Sequence, residues 1–157
     1  MSDLPITVNG FKNIKIELDD LIHKQRPNIV KAIAAAREHG DLKENAEYHS
    51  AREKQSFIEG RILELEDKVA RARIIDPTTI KDKAVRFSAT VSLIDCNTEK
   101  EVTYTLVSEY EADIKNNLIS ITSPIARGLI NKEVGDEAVI ATPKGEKIYE
   151  ILDIQYK

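Results

Sequence analysis

The stretch Arg37-Glu38-His39-Gly40-Asp41-Leu42-Lys43-Glu44-Asn45-Ala46-Glu47-Tyr48-His49, closed by Arg52, gathers more chemistry-bearing side chains than any other part of the chain. Asp41 and Glu44 stand three apart, a spacing that lets two carboxylates at a helix start converge on one point. Such a pair suits Mg²⁺, which takes oxygen ligands, keeps several waters and is commonly shared with phosphates. Alone, two carboxylates hold the ion weakly. The same Asp-x-x-Glu pattern is close to a capping box, in which Asp41 accepts from one backbone N–H and Glu44 reaches back to another, and the two uses are not exclusive. Arg37 and Arg52 read either as solvated helix charges or as contacts to phosphate. His39 and His49 lack the His-Glu-x-x-His pattern and a nearby thiolate, which argues against zinc. His23 lies beside an apolar seam and carries no special role. There is no glycine-rich phosphate loop and no Gly-x-Ser-x-Gly elbow, and Cys96, between Asp95 and Asn97, reads as a turn residue rather than a nucleophile.

Two helices must position that stretch. Ile14, Leu18, Leu21, Ile29 and Ile33 fall along one side of a first helix, interrupted or restarted at Pro27, which lacks an N–H and crowds the preceding turn. Ala51, Ile58, Ile62, Leu65, Val69 and Ala72 then form a heptad seam on a second. Gly40 can take the left-handed conformation that ends a helix, and the second helix starts at Asp41 or nearer Asn45. Helices joined by so short a turn run antiparallel, and one spanning about Asp41 to Arg73 reaches roughly 45 to 50 Å at 1.5 Å per residue. The chemistry-bearing stretch is then the tip of a projecting hairpin.

Composition changes near Ile75-Asp76-Pro77-Thr78-Thr79, and beyond it β-branched residues alternate with polar ones. Strands are expected at 85–94, 101–107, 137–141 and 148–155, with a turn at Thr142-Pro143-Lys144-Gly145 and a short helix at 124–130 capped by Ser123, with Pro124 at its first position. The chain reads as α+β: a hairpin over 1–76, a linker over 77–83 and a second domain over 84–157. In 157 residues, 23 Lys and Arg stand against 27 Asp and Glu, for a net charge of -4 and a sequence pI near 5.5. That balance excludes a free-standing duplex binder, whose affinity comes from many cations on phosphate. One cysteine, no basic-then-apolar leader and no long apolar run point to a soluble cytoplasmic protein with no membrane partner.

The residues resemble the bacterial transcript cleavage factors, the Gre family. The resemblance is carried by Arg26-Pro27, by the run from Ala34 to Tyr48, by Glu59-Gly60-Arg61-Ile62, and by Asn117 to Ile121 followed by Ser123 to Ile130. It implies an antiparallel coiled-coil hairpin that enters the secondary channel of RNA polymerase, and an FKBP-like C-terminal domain, an antiparallel sheet with a short helix, docked at the channel rim. Asp41 and Glu44 are then the acidic tip pair, helping the polymerase's own carboxylates hold a second Mg²⁺ that is not expected on the free protein. Arg37 and Arg52 would face the extruded 3′ end of backtracked nascent RNA, and Ser123 and Pro124 would touch the polymerase. The implied role is an accessory elongation factor, a monomer when free, that stimulates the polymerase's intrinsic RNA cleavage. A regulator that occupies the same channel without cleavage is the alternative, and intact Asp41 and Glu44 count against it. A prolyl isomerase site needs an aromatic-lined pocket, for which the second half has few aromatics.

Overall fold

Pro27 has no N–H to donate and its ring crowds the carbonyl four residues back, so a regular α-helix cannot run through it unchanged. In the computed structural model, which describes residues 3–40 and 45–157, the chain widens ahead of that proline. Helix α1 (Val8–Asp20) passes into a π turn (Leu21–Gln25), in which the Arg26 N–H donates to the Leu21 carbonyl, and α2 (Arg26–Arg37) follows with Pro27 in its first turn. The proline thus restarts the helix without breaking it. After the tip, α3 runs through Ala46–Arg71, 26 residues or about 39 Å at 1.5 Å per residue, which is shorter than the sequence suggests because its cap is Asn45.

The described chain forms two compact units, Met1–Leu4 with Phe11–Ala72 and Pro5–Gly10 with Arg73–Lys157. Pro5–Gly10, read with the hairpin in the sequence, therefore group with the second unit. In the first unit, Leu21, Ile29, Ile33 and Ala36 are buried, as are Ile58, Ile62 and Leu65 of α3, so the antiparallel seam forms as its spacing requires. It departs near its end: Lys68 is buried, while the heptad positions Val69 and Ala72 are only half-buried. Lys68 keeps its ammonium paired at 3.0 Å with Glu64. Two bidentate pairs fix helix register: Arg26 Nε and Nη2 meet Glu59 at 2.9 Å each, and Arg61 meets Glu17 at 2.6 and 3.0 Å.

The second unit holds β1 (Leu4–Thr7, from Pro5) paired with β2 (Ala72–Ile75, from Arg73), and a five-stranded sheet. The sheet is built from β3 (Thr90–Asp95), β4 (Glu101–Val107), β5 (Leu118–Ser120), β6 (Glu137–Thr142) and β7 (Gly145–Gln155), in the order β5-β4-β3-β7-β6. Its pairings are antiparallel except that β5 lies parallel to β4, so the sheet is mixed and the purely antiparallel expectation is corrected. The connection 108–117 makes the crossover that a parallel pair requires. Short helix α4 (Pro124–Leu129) covers the sheet beside β6, so close that a Cβ on Gly128 would stand 3.0 Å from Ile140 Cγ1. Ala126 and Leu129 of α4 complete a core with Val91, Leu93, Leu106 and Ile151.

The alternation from Val85 to Leu93 is not one strand. Phe87 and Ser88 turn the chain, with Ser88 at φ 74°, and the regular ladder begins only at Thr90. The Tyr156 hydroxyl holds this approach in place, donating to the Ala84 carbonyl at 2.5 Å and accepting from the Arg86 N–H at 3.0 Å.

Candidate functional site

Asn45 organises the described part of the tip. Its extended backbone precedes α3, and its Oδ1 accepts from the Tyr48 N–H at 3.0 Å, satisfying one of the donors every helix start leaves unpaired. Its Nδ2 donates at 2.7 Å to the Ala36 carbonyl, near the end of α2, where acceptors are left over. One side chain therefore serves both helix ends and sets their spacing. On the α2 side the His39 N–H donates to the Ala36 carbonyl at 3.1 Å, and Gly40 takes φ +106°, a conformation that costs a side-chain-bearing residue far more.

Asp41 and Glu44 lie outside the described residues. What the neighbouring geometry settles is the cap: the role considered for Asp41 at the start of the second helix is filled by Asn45 for α3. Arg37, the last residue of α2, is exposed and stands with its guanidinium carbon 5.9 Å from the centroid of the Tyr48 ring, a cation–π approach that presents the charge while steadying its plane. Tyr48 also meets His49 edge-on, with ring centroids 5.5 Å apart. Arg52, on the second turn of α3, is exposed and makes no ion pair among the described residues. Sequence spacing placed both arginines near the tip but not the stacking of Arg37 on Tyr48. The signal available for it was that Tyr48 is the one aromatic residue in the stretch.

Ser123 and Pro124 sit at the start of α4. The Ser123 hydroxyl donates to the Ser120 carbonyl at 2.6 Å and accepts from the Ala126 N–H at 3.3 Å, so it caps the helix as its position before a proline suggests. Pro124 itself is exposed. Among the described residues no group of three or more His, Cys, Asp and Glu side chains could hold a metal ion, and no described helix is long and apolar enough to cross a membrane.

Comparison with known proteins covers both halves. Residues 4–74 match the family model described as transcription elongation factor, N-terminal, and residues 80–156 match transcription elongation factor, GreA/GreB, C-term. The chain is 56% identical over 158 residues, all of both chains, to the transcription elongation factor GreA of Halorhodospira halophila. It is 58% identical to that of Rickettsia prowazekii, over 98% of this chain and 94% of the relative. Among solved structures it is similar to the GreA factor homolog 1 of Thermus thermophilus, with 24% identity, 98% and 99% of the two chains covered and a TM-score of 0.45. The chain belongs to the GreA/GreB family of transcription elongation factors.

Proposed function

We propose that the chain enters the secondary channel of bacterial RNA polymerase and stimulates the polymerase's own cleavage of backtracked RNA. The observation that carries this reading is full-length likeness, at 56% identity, to a transcription elongation factor GreA, in a chain whose sequence carries Asp41 and Glu44 between α2 and α3. Asn45 supplies the cap of α3, so that cap does not call on the acidic pair. The donor set fits Mg²⁺: two hard carboxylates, too few to retain the ion alone, which polymerase carboxylates would complete. Mg²⁺ held there supplies Lewis acidity and positive charge beside the scissile phosphate.

The chain's own residues divide the remaining work. Asp41 and Glu44 bring negative charge to the reacting centre. Arg37, steadied on Tyr48, and the exposed Arg52 offer cations to the phosphates of the extruded RNA. Pro124, exposed at the start of α4, presents a rigid edge to the polymerase, and Ser123 contributes by fixing that edge, since its hydroxyl is already engaged at 2.6 Å with Ser120. The chain acts as an accessory factor rather than an enzyme, with a catalytic centre split between two proteins.

Cleavage of backtracked complexes across Mg²⁺ concentration tests this. Asp41→Asn preserves shape and removes charge, and should lower stimulated cleavage by tenfold or more, with the deficit narrowing as Mg²⁺ rises. Full cleavage by that variant would remove Asp41 from the mechanism. Wild-type protein that slows nucleotide addition and yields no shortened RNA would instead identify a channel-occluding regulator.

A further inference from the structure

Two short stretches remote in sequence, Thr7–Gly10 and Ser108–Glu111, meet where α1 begins, all within the second unit. Thr7 closes β1 and caps α1, its Oγ1 accepting from the Gly10 N–H at 3.0 Å. The same hydroxyl donates to Glu111, whose carboxylate also accepts from the Thr7 N–H at 3.3 Å and from the N–H and hydroxyl of Ser108 at 3.2 and 2.7 Å. Thr7 and Ser108 are 9% and 4% exposed, so their donors have little water to turn to if the carboxylate leaves. A Cβ on Gly10 would overlap the Glu111 side chain; the space a side chain would fill there belongs to the carboxylate. Hydrogen bonds to an ionised acceptor are stronger than neutral ones, and a negative charge is favoured at a helix N-terminus.

We infer that Glu111 is a positioning residue that locks the first turn of α1, the helix that continues through the π turn into α2 and its terminal Arg37. The lock is a property of the free protein; its consequence for cleavage rests on the function proposed above. Glu111→Gln keeps the volume but turns an amide donor toward a set of donors, and Gly10→Ala displaces the carboxylate without altering its charge.

Amide hydrogen exchange on the free full-length protein, with cleavage measured against factor concentration, tests this. Both variants should speed exchange over Val8–Phe11 by about tenfold or more, consistent with loss of a charged hydrogen bond. Exchange over β3 should not change. Cleavage at saturating factor should fall severalfold while the half-saturating concentration stays fixed, and the double variant should be no worse than the worse single one. Unchanged exchange over Val8–Phe11 overturns the lock, and equal loosening of β3 reduces Glu111 to a general stabiliser. Faster exchange with unaltered saturating cleavage overturns the positioning role. If wild-type protein stimulates no cleavage while exchange responds as expected, the lock stands and the proposed function fails.

Discussion

In the helical unit, exposure along the seam rises from 1% at Ile58, Ile62 and Leu65 to 6% at Ile29, 7% at Ile33 and 9% at Ala51, whereas Val91, Leu93, Leu106 and Leu129 of the sheet unit are at 0%. A sheet with a helix laid across it encloses its core residues, but two helices side by side shield a seam from fewer directions. The helical unit adds specificity through charge, in the pairs Arg26–Glu59 and Arg61–Glu17, while the sheet core is apolar. The fully enclosed apolar residues named here thus lie in one unit, and the residues proposed to do chemistry are carried by the other.

Core truncation gives the largest test of that contrast. Leu106→Ala should cost about 2–5 kcal/mol in urea unfolding, and Ile33→Ala, at a site already nearer solvent, should fall at about 2 kcal/mol or below. Equal losses would mean that the seam is as well enclosed as the sheet core. Next in size is Asn45→Ala, which removes the cap of α3 and the bond to the Ala36 carbonyl and should cost about 1–2 kcal/mol. Asn45→Asp, which keeps only the accepting oxygen, should recover part of that loss. Faster amide exchange in both variants should be confined to the helix ends around the tip, and spread into β3 would break the comparison.

The smallest effect concerns acid. The hydrogen bond from Arg61 holds the Glu17 carboxylate below the usual range, and Lys68 does the same for Glu64. A carboxylate with a depressed folded-state value contributes its stabilisation in full above its unfolded value, about 4.3, and loses it as pH falls through the folded one. Protection of the α3 amides, taken relative to the intrinsic exchange rate at each pH, should therefore fall below about pH 4, and Glu17→Gln should flatten that response. Both carboxylates are substantially solvated, so the change should stay well below that of core truncation. A helical unit indifferent to pH over this range would show that its ion pairs do not set register.

Local rules carried the reading of the sequence a long way, and its failures came where they stop. Apolar spacing located the seam through Leu65, and Ser123-Pro124 marked the start of α4, because both signals lie within a few residues of their effect. The parallel placement of β5 was not legible, since it depends on which strand Leu118–Ser120 meets after a crossover. Nor was the turn before β3: Ser88 adopts positive φ where no glycine announces it. At the tip, Asn45 and Asp41 were both reasonable caps by residue type, and only backbone geometry selects Asn45 for α3. Asp41 and Glu44 were identified by chemistry and by resemblance, and their roles rest there.

The π turn at Leu21–Gln25 acts as a one-residue correction to phase. Buried positions run 14, 18, 21 before it and 29, 33, 36 after it, whereas an uninterrupted heptad would continue to 28, 32 and 35. The wide turn absorbs the surplus residue, so both stretches turn the same side toward α3 although their numbering has slipped by one. Shortening the chain by a single residue there would leave every side chain of α2 chemically intact and rotate all of them by about 100°. Arg37, at the end of that helix, would then face another direction, which makes the length of this segment part of the specification of the tip.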